Sequence, residues 1–126
     1  MSRILIISSL AAMVMAATPA FADGDAAAGE KVFIKCKACH ENEQGVNKIG
    51  PTLKGIVGRK GASVEGYAYS DGAKAKAAEG LVWDEATLAA YLPDPRAYVP
   101  GTKMAFAGLK NPQEVADVIA YLKSKP

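Results

Sequence analysis

Residues 36–40 read Cys-Lys-Ala-Cys-His and hold both cysteines and the single histidine of the chain. No other stretch restricts the fold as much, because whatever these three side chains bind, the remaining residues must be built around it. Two thiols separated by two residues can close a small disulfide, cycle as a redox dithiol, contribute to a zinc site or carry a covalent haem. A redox dithiol of the thioredoxin kind sits in a strand–helix–strand unit, and no alternating strands are legible here. Structural zinc takes four protein ligands, whereas Cys36, Cys39 and His40 are three. A disulfide stays open in an oxidising compartment, although so short a loop adds little stability. The haem reading uses all three residues: each thiol adds across one vinyl group, and the adjacent imidazole ligates the iron from the same side.

The N-terminus reads as an export signal. Arg3 supplies a positive start, Ile4 to Ala17 is apolar and uncharged, and Ala20 and Ala22 occupy the small-residue positions before a cut after Ala22. The run is short of the ~20 apolar residues of a membrane span; an uncleaved anchor is the alternative. Removing residues 1–22 leaves one domain, 23–126, expected in the periplasm as a monomer without stable membrane insertion. That domain carries 14 basic against 13 acidic side chains, which excludes a general nucleic-acid binder. Its size is near the lower end of comfortable self-stability, where a metal or cofactor commonly compensates.

The dominant periodicity is helical, with little strand-like alternation. Asp25 is placed to cap a first helix with Ala28, Val32, Phe33 and Cys36 on one face. Gly29 inside it costs up to ~1 kcal/mol relative to alanine and suggests either a close helix crossing or a weakly formed first turn. Ser70 heads a short helix over Asp71 to Ala78, closed near Gly80. Asp84 heads another, with Leu88, Tyr91 and Leu92 apolar and Pro93 as its stop. Asn111, Pro112 and Glu114 predict a capping box for a last helix whose stripe is Val115, Val118, Ile119 and Leu122. Between these lie two long irregular segments, one with six glycines between 45 and 66 and one with prolines at 93, 95, 100 and 112. Loops this long in a small domain need something to wrap around.

Met1, Met13 and Met15 fall in the leader, so Met104 is the remaining soft sulfur and no second histidine exists. A lone methionine is also ordinary core filler. Against that, Met104 lies in "YVPGTKMAFAG", off any helical stripe. His/Met ligation would raise the reduction potential and leave no open position for a substrate.

The ordered set "CKACH", "GPTLKGIVGRKG", "YSDG", "LVWDEATLAAYLPDP", "PGTKMAFAG" and "IAYLK" resembles the class I cytochromes c, especially the bacterial cytochrome c2 group that is similar to mitochondrial cytochrome c. The resemblance covers essentially all of residues 23–126. It implies an all-α fold in which N- and C-terminal helices cross, with shorter helices and long loops around one haem c. It implies Cys36 and Cys39 as thioether anchors, His40 and Met104 as axial ligands, and the Pro51 carbonyl as partner of the His40 ring N–H. Arg59, Tyr69 and Trp83 would hold the propionates, Tyr91 would lie near the Met104 sulfur, and Phe106 would cover the haem edge. Gly29, Phe33, Val118 and Tyr121 would form the helix crossing. Lys31, Lys35, Lys48, Arg96, Lys103 and Lys110 would ring that edge, though each is equally readable as a solvated surface cation. The implied function is non-enzymatic electron carriage between membrane-bound complexes, from a bc1-type donor to an oxidase or photosynthetic reaction centre. The rivals are a peroxidase or gas-ligand binder with a labile sixth site, and a dedicated partner of one periplasmic dehydrogenase. Ala73 and Ala97 depart from the mitochondrial pattern, where asparagine and lysine are common.

Overall fold

Asp25 and Asn111 start the two helices that close this fold on itself. The computed structural model describes residues 23–126 and, ahead of them, Met13. Apart from Met13, the expected leader lies outside the described residues. In chain order the elements are α1 (Ala26–Phe33), β1 (Arg59–Lys60), α2 (Asp71–Ala78), β2 (Val82–Trp83), α3 (Glu85–Tyr91), α4 (Pro95–Tyr98) and α5 (Pro112–Lys123). Among the described residues, the one sheet is a two-residue antiparallel ladder pairing Arg59 with Trp83 and Lys60 with Val82. No helix among them is long and apolar enough to cross a membrane.

The helix starts follow local chemistry. Asp25 Oδ1 accepts from the N–H groups of Ala27 and Ala28 at 2.8 and 3.3 Å. Ser70 Oγ accepts from Ala73 N–H at 3.1 Å, and Asp84 Oδ1 from Thr87 N–H at 2.8 Å. Asn111 Oδ1 takes Gln113 N–H at 2.8 Å. Each cap satisfies a donor that the helix itself cannot, a contribution of about 1 kcal/mol.

Two expectations need correction. Glu114 does not complete a capping box; its carboxylate accepts from Lys35 Nζ at 3.3 Å, because α1 and the turn after it run alongside α5. The proline-rich stretch after α3 is not wholly irregular either, since it contains α4. Asp94 caps that turn through Ala97 N–H at 3.2 Å, and Pro95 occupies a first-turn position with its φ already suited to a helix.

Gly29 is explained by the crossing of α1 and α5. A Cβ there would lie 1.9 Å from the Asp117 carbonyl oxygen and 2.8 Å from Tyr121 Cβ, so the two helices meet backbone to backbone. Phe33 and Tyr121 seal the contact with ring centroids 5.3 Å apart. Val32, Val115, Val118, Ile119 and Leu122 are buried in the same core. Each such side chain contributes about 1.5–3 kcal/mol of transfer free energy. Ile56, Leu88, Leu92 and Leu109 complete the cluster and join the loops and α3 to it.

A polar tie accompanies this apolar one. Asp117 Oδ1 accepts from Asp25 N–H at 2.8 Å and from Gln113 Nε2 at 2.9 Å. These bonds, the Asp25 N–H first, hold the Asp117 carboxyl below its ordinary range against the smaller opposing effect of burial. A carboxyl more acidic in the folded than in the unfolded chain adds stability that is complete above the unfolded value, near pH 4, and is lost as pH falls through the folded one. Asp117→Asn is therefore expected to be less stable than wild type at neutral pH, the gap narrowing on acidification below about pH 4. Urea midpoints of both proteins across that range measure it.

Candidate haem-binding site

The helical path does not stop at Phe33. The N–H groups of Ile34, Lys35, Cys36 and Lys37 each pair with the carbonyl three residues back, at 2.8–3.3 Å. Cys39 and His40 N–H groups then share the Cys36 carbonyl at 3.1 and 2.9 Å. Turns of three residues bring positions i and i+3 to one side, so Cys36 and Cys39 face the same way and His40 follows directly. No disulfide joins Cys36 to Cys39. Burial pushes the Cys36 thiol up, with Lys35 opposing.

His40 Nδ1 lies 2.7 Å from the Pro51 carbonyl oxygen. A carbonyl can only accept, so Nδ1 carries the proton and Nε2 keeps the lone pair that a metal needs. Burial pushes the imidazole down from its ordinary value; the Pro51 bond opposes this and Lys48 adds to it. The ring rests against Gly50, where a Cβ would come within 2.3 Å of Cε1 and 2.7 Å of Nδ1. Gly50 N–H in turn donates to the Cys39 carbonyl at 2.8 Å. The resemblance implies the Pro51 contact; the need for glycine beside it is marked in the sequence only by "IGP", a natural turn signal.

Met104 lies in an irregular loop that α3 holds in place. Leu109 N–H donates to the Leu92 carbonyl at 2.8 Å, and Lys110 Nζ to the Pro93 carbonyl at 2.6 Å. Tyr91, the last residue of α3, donates its hydroxyl to Met104 Sδ at 3.0 Å. Burial, with Cys36 nearby, pushes the Tyr91 phenol up to about 12, so it remains a donor at physiological pH. Trp83 stands edge-on to Tyr91 at 4.7 Å, and Tyr98 of α4 stands edge-on at 6.0 Å. Cys36, Trp83, Tyr91 and Phe106, all partly buried, pack against the apolar core. Tyr98 reaches the site only because α4 forms within the proline-rich segment, so no local pattern marks it.

Arg59 joins the two sides. Its guanidinium donates to the Thr52 carbonyl at 2.7 Å and to the Lys54 carbonyl, and its backbone faces Trp83 across the ladder. Burial lowers the Arg59 pKa and the nearby Tyr69 opposes that shift. Tyr69 Oη accepts from Val64 N–H at 3.0 Å. Together the residues fit a haem by their donor chemistry. An imidazole presents a free Nε2, a thioether sulfur is held by a phenol, two thiols share one turn, and a partly buried cation with two aromatic donors stands near.

The expected docking cations, Lys31, Lys35, Lys48, Arg96, Lys103 and Lys110, are all exposed. Lys35 pairs with the Glu114 carboxylate. Lys48 donates to the Lys37 carbonyl at 2.6 Å, and Lys103 donates to the Ala68 carbonyl while lying 4.5 Å from the Tyr67 ring centroid. These carbonyl contacts, like that of Lys110 with Pro93, fix a lysine without setting an opposite charge beside it.

Fold and site define a small helical domain whose thiol–imidazole turn and phenol-bonded methionine have donor chemistry that suits a haem. Residues 26–126 match the family described as cytochrome c. Cytochrome c2 iso-2 of Magnetospirillum fulvum is 55% identical over 92 residues, spanning 73% of this chain and 93% of its own. Cytochrome cH from Methylobacterium extorquens shares 55% identity and superposes with a TM-score of 0.74, over 81% of this chain and all of its own. Cytochrome c2 from Rhodospirillum centenum gives 38% and 0.77, over 81% and 98%. The chain belongs to the cytochrome c family and has its class I fold.

Proposed function

We propose that the chain is a one-electron carrier of the periplasm, exported behind residues 1–22 and cut after Ala22. It holds one haem c, bonded to Cys36 and Cys39 and ligated by His40 and Met104. One observation carries this reading: each ligand has its own partner within the protein, Pro51 O on His40 at 2.7 Å and Tyr91 Oη on Met104 at 3.0 Å. Ligands restrained in this way keep their positions when the charge between them changes. The haem supplies the Fe(III)/Fe(II) couple. Partly buried, largely apolar surroundings disfavour the extra charge of the ferric form, and a methionine sulfur raises the potential. Arg59, Tyr69 and Trp83 serve the propionates, which would be costly to bury without donors, and Phe106 covers the edge.

The exposed cations steer the domain to acidic surfaces on membrane-bound complexes. A bc1-type complex would be the donor, and an oxidase or photosynthetic reaction centre the acceptor. Encounters of this kind use small, weak interfaces, and their rates fall with salt. Stopped-flow reduction and oxidation by the purified complexes is expected to be fast and to slow steadily with ionic strength. Rates indifferent to salt would remove the cation ring from the mechanism, and failure to exchange electrons with either complex would remove the shuttle reading.

A further inference from the structure

Glu41, the residue after the ligand His40, gathers an unusual set of donors. Its Oε1 accepts from Val46 N–H at 2.7 Å and from the Thr52 hydroxyl at 2.6 Å. Its Oε2 accepts from Gln44 N–H at 2.7 Å and Glu43 N–H at 2.9 Å. Its backbone carbonyl accepts from Leu53 N–H at 2.8 Å and lies 3.3 Å from the same Thr52 hydroxyl. One residue therefore closes the 41–53 loop at both its ends.

The consequence falls on the peptide unit between Pro51 and Thr52. The Pro51 carbonyl and the Thr52 N–H share one plane, and Asn47 Oδ1 takes that N–H at 3.0 Å. What holds Thr52 thereby sets where the Pro51 oxygen points, and that oxygen is the partner of His40 Nδ1. An ionised carboxylate suits the task because it has two oxygens, about four acceptor sites and no hydrogen. Glutamine has nearly the same shape but turns an NH2 toward two of the four donors.

We propose that Glu41 is a positioning residue for the iron ligand: by clamping Thr52 it fixes the Pro51 carbonyl that orients and polarises the His40 imidazole. The inference rests on the ligand role proposed for His40, and its test separates the two. Haem-loaded wild type, Glu41→Gln, Thr52→Val and Thr52→Ser are compared by NMR exchange of the His40 Nδ1 proton and by reduction potential. In Glu41→Gln and Thr52→Val the proton is expected to exchange about tenfold faster, as for one weakened hydrogen bond. The potential is expected to rise, because a less strongly hydrogen-bonded imidazole donates less to the ferric state. Thr52→Ser retains the hydroxyl and should behave as wild type. Glu43→Gln removes a neighbouring charge, one that pairs with Lys125 at 3.3 Å, and should shift the potential without changing exchange. Wild-type exchange in both Glu41→Gln and Thr52→Val, with low-spin spectra intact, would overturn the role of Glu41 alone. If Glu41→Gln fails to accumulate, the Val and Ser variants of Thr52 decide the matter. A wild-type protein without a low-spin haem spectrum would overturn the ligand assignment itself.

Discussion

Gly29→Ala is expected to destabilise the protein by about 2 kcal/mol or more, read as a lower urea midpoint by far-UV circular dichroism. Two effects oppose each other. Alanine is the better helix former by up to ~1 kcal/mol, which would favour the variant if α1 stood alone. The new methyl group, however, would sit 1.9 Å from the Asp117 carbonyl oxygen and 2.5 Å from its carbon. These are backbone atoms of α5 and cannot rotate away. The helices must separate, loosening Phe33 against Tyr121 and the buried contacts around Val118. Overpacking of a tight contact costs about 1–3 kcal/mol and occasionally more, out of a total stability of about 5–15 kcal/mol. Unchanged or increased stability would show that α1 and α5 do not meet at this residue.

Met104→Ala is expected to give the largest functional change. The ferric protein should lose its far-red band assignable to iron–sulfur ligation and take up added imidazole rapidly. Its potential should fall by on the order of a tenth of a volt or more, within the ~0.8 V that axial ligands span. Removing the side chain also leaves the Tyr91 hydroxyl without the acceptor it has at 3.0 Å, and an unpaired buried donor costs about 1–3 kcal/mol. Tyr91→Phe separates the two effects, since it removes the donor and keeps the sulfur. A wild-type protein that is already high-spin, with fast ligand uptake, would instead support the peroxidase or gas-binding alternative.

The features legible without a structure are those decided within one helical turn. Asp25, Ser70, Asp84 and Asn111 cap helices through N–H groups two or three residues ahead, so neighbouring residues suffice to place them. The same holds for Cys36, Cys39 and His40, whose use depends on a spacing of three residues and one. The capping box failed for the complementary reason. Glu114 had a local role available, yet Lys35, 79 residues away in sequence, offered a charged partner at 3.3 Å. Glu41 shows no pattern at all in sequence: a glutamate among polar loop residues becomes a clamp only when residues 46 and 52 fold back to it. The short helix at Pro95 was hidden because prolines mark turns and helix starts alike.

By itself the sequence determined the helical caps, the buried stripes, the thiol–imidazole turn and the supply of soft ligands, one histidine and, after residue 22, one methionine. Its resemblance to a family added which distant residues should meet, among them Pro51 with His40 and Tyr91 with Met104. Only the tertiary structure decided the distances at which they do so, why Gly29 and Gly50 can carry no side chain, and what holds the Pro51 carbonyl in place. The physical reason is one of range. A cap or a covalent spacing is settled by bond geometry a few residues long. A contact between chain segments exists only where the packed core of α1, α3 and α5 brings them within hydrogen-bonding reach.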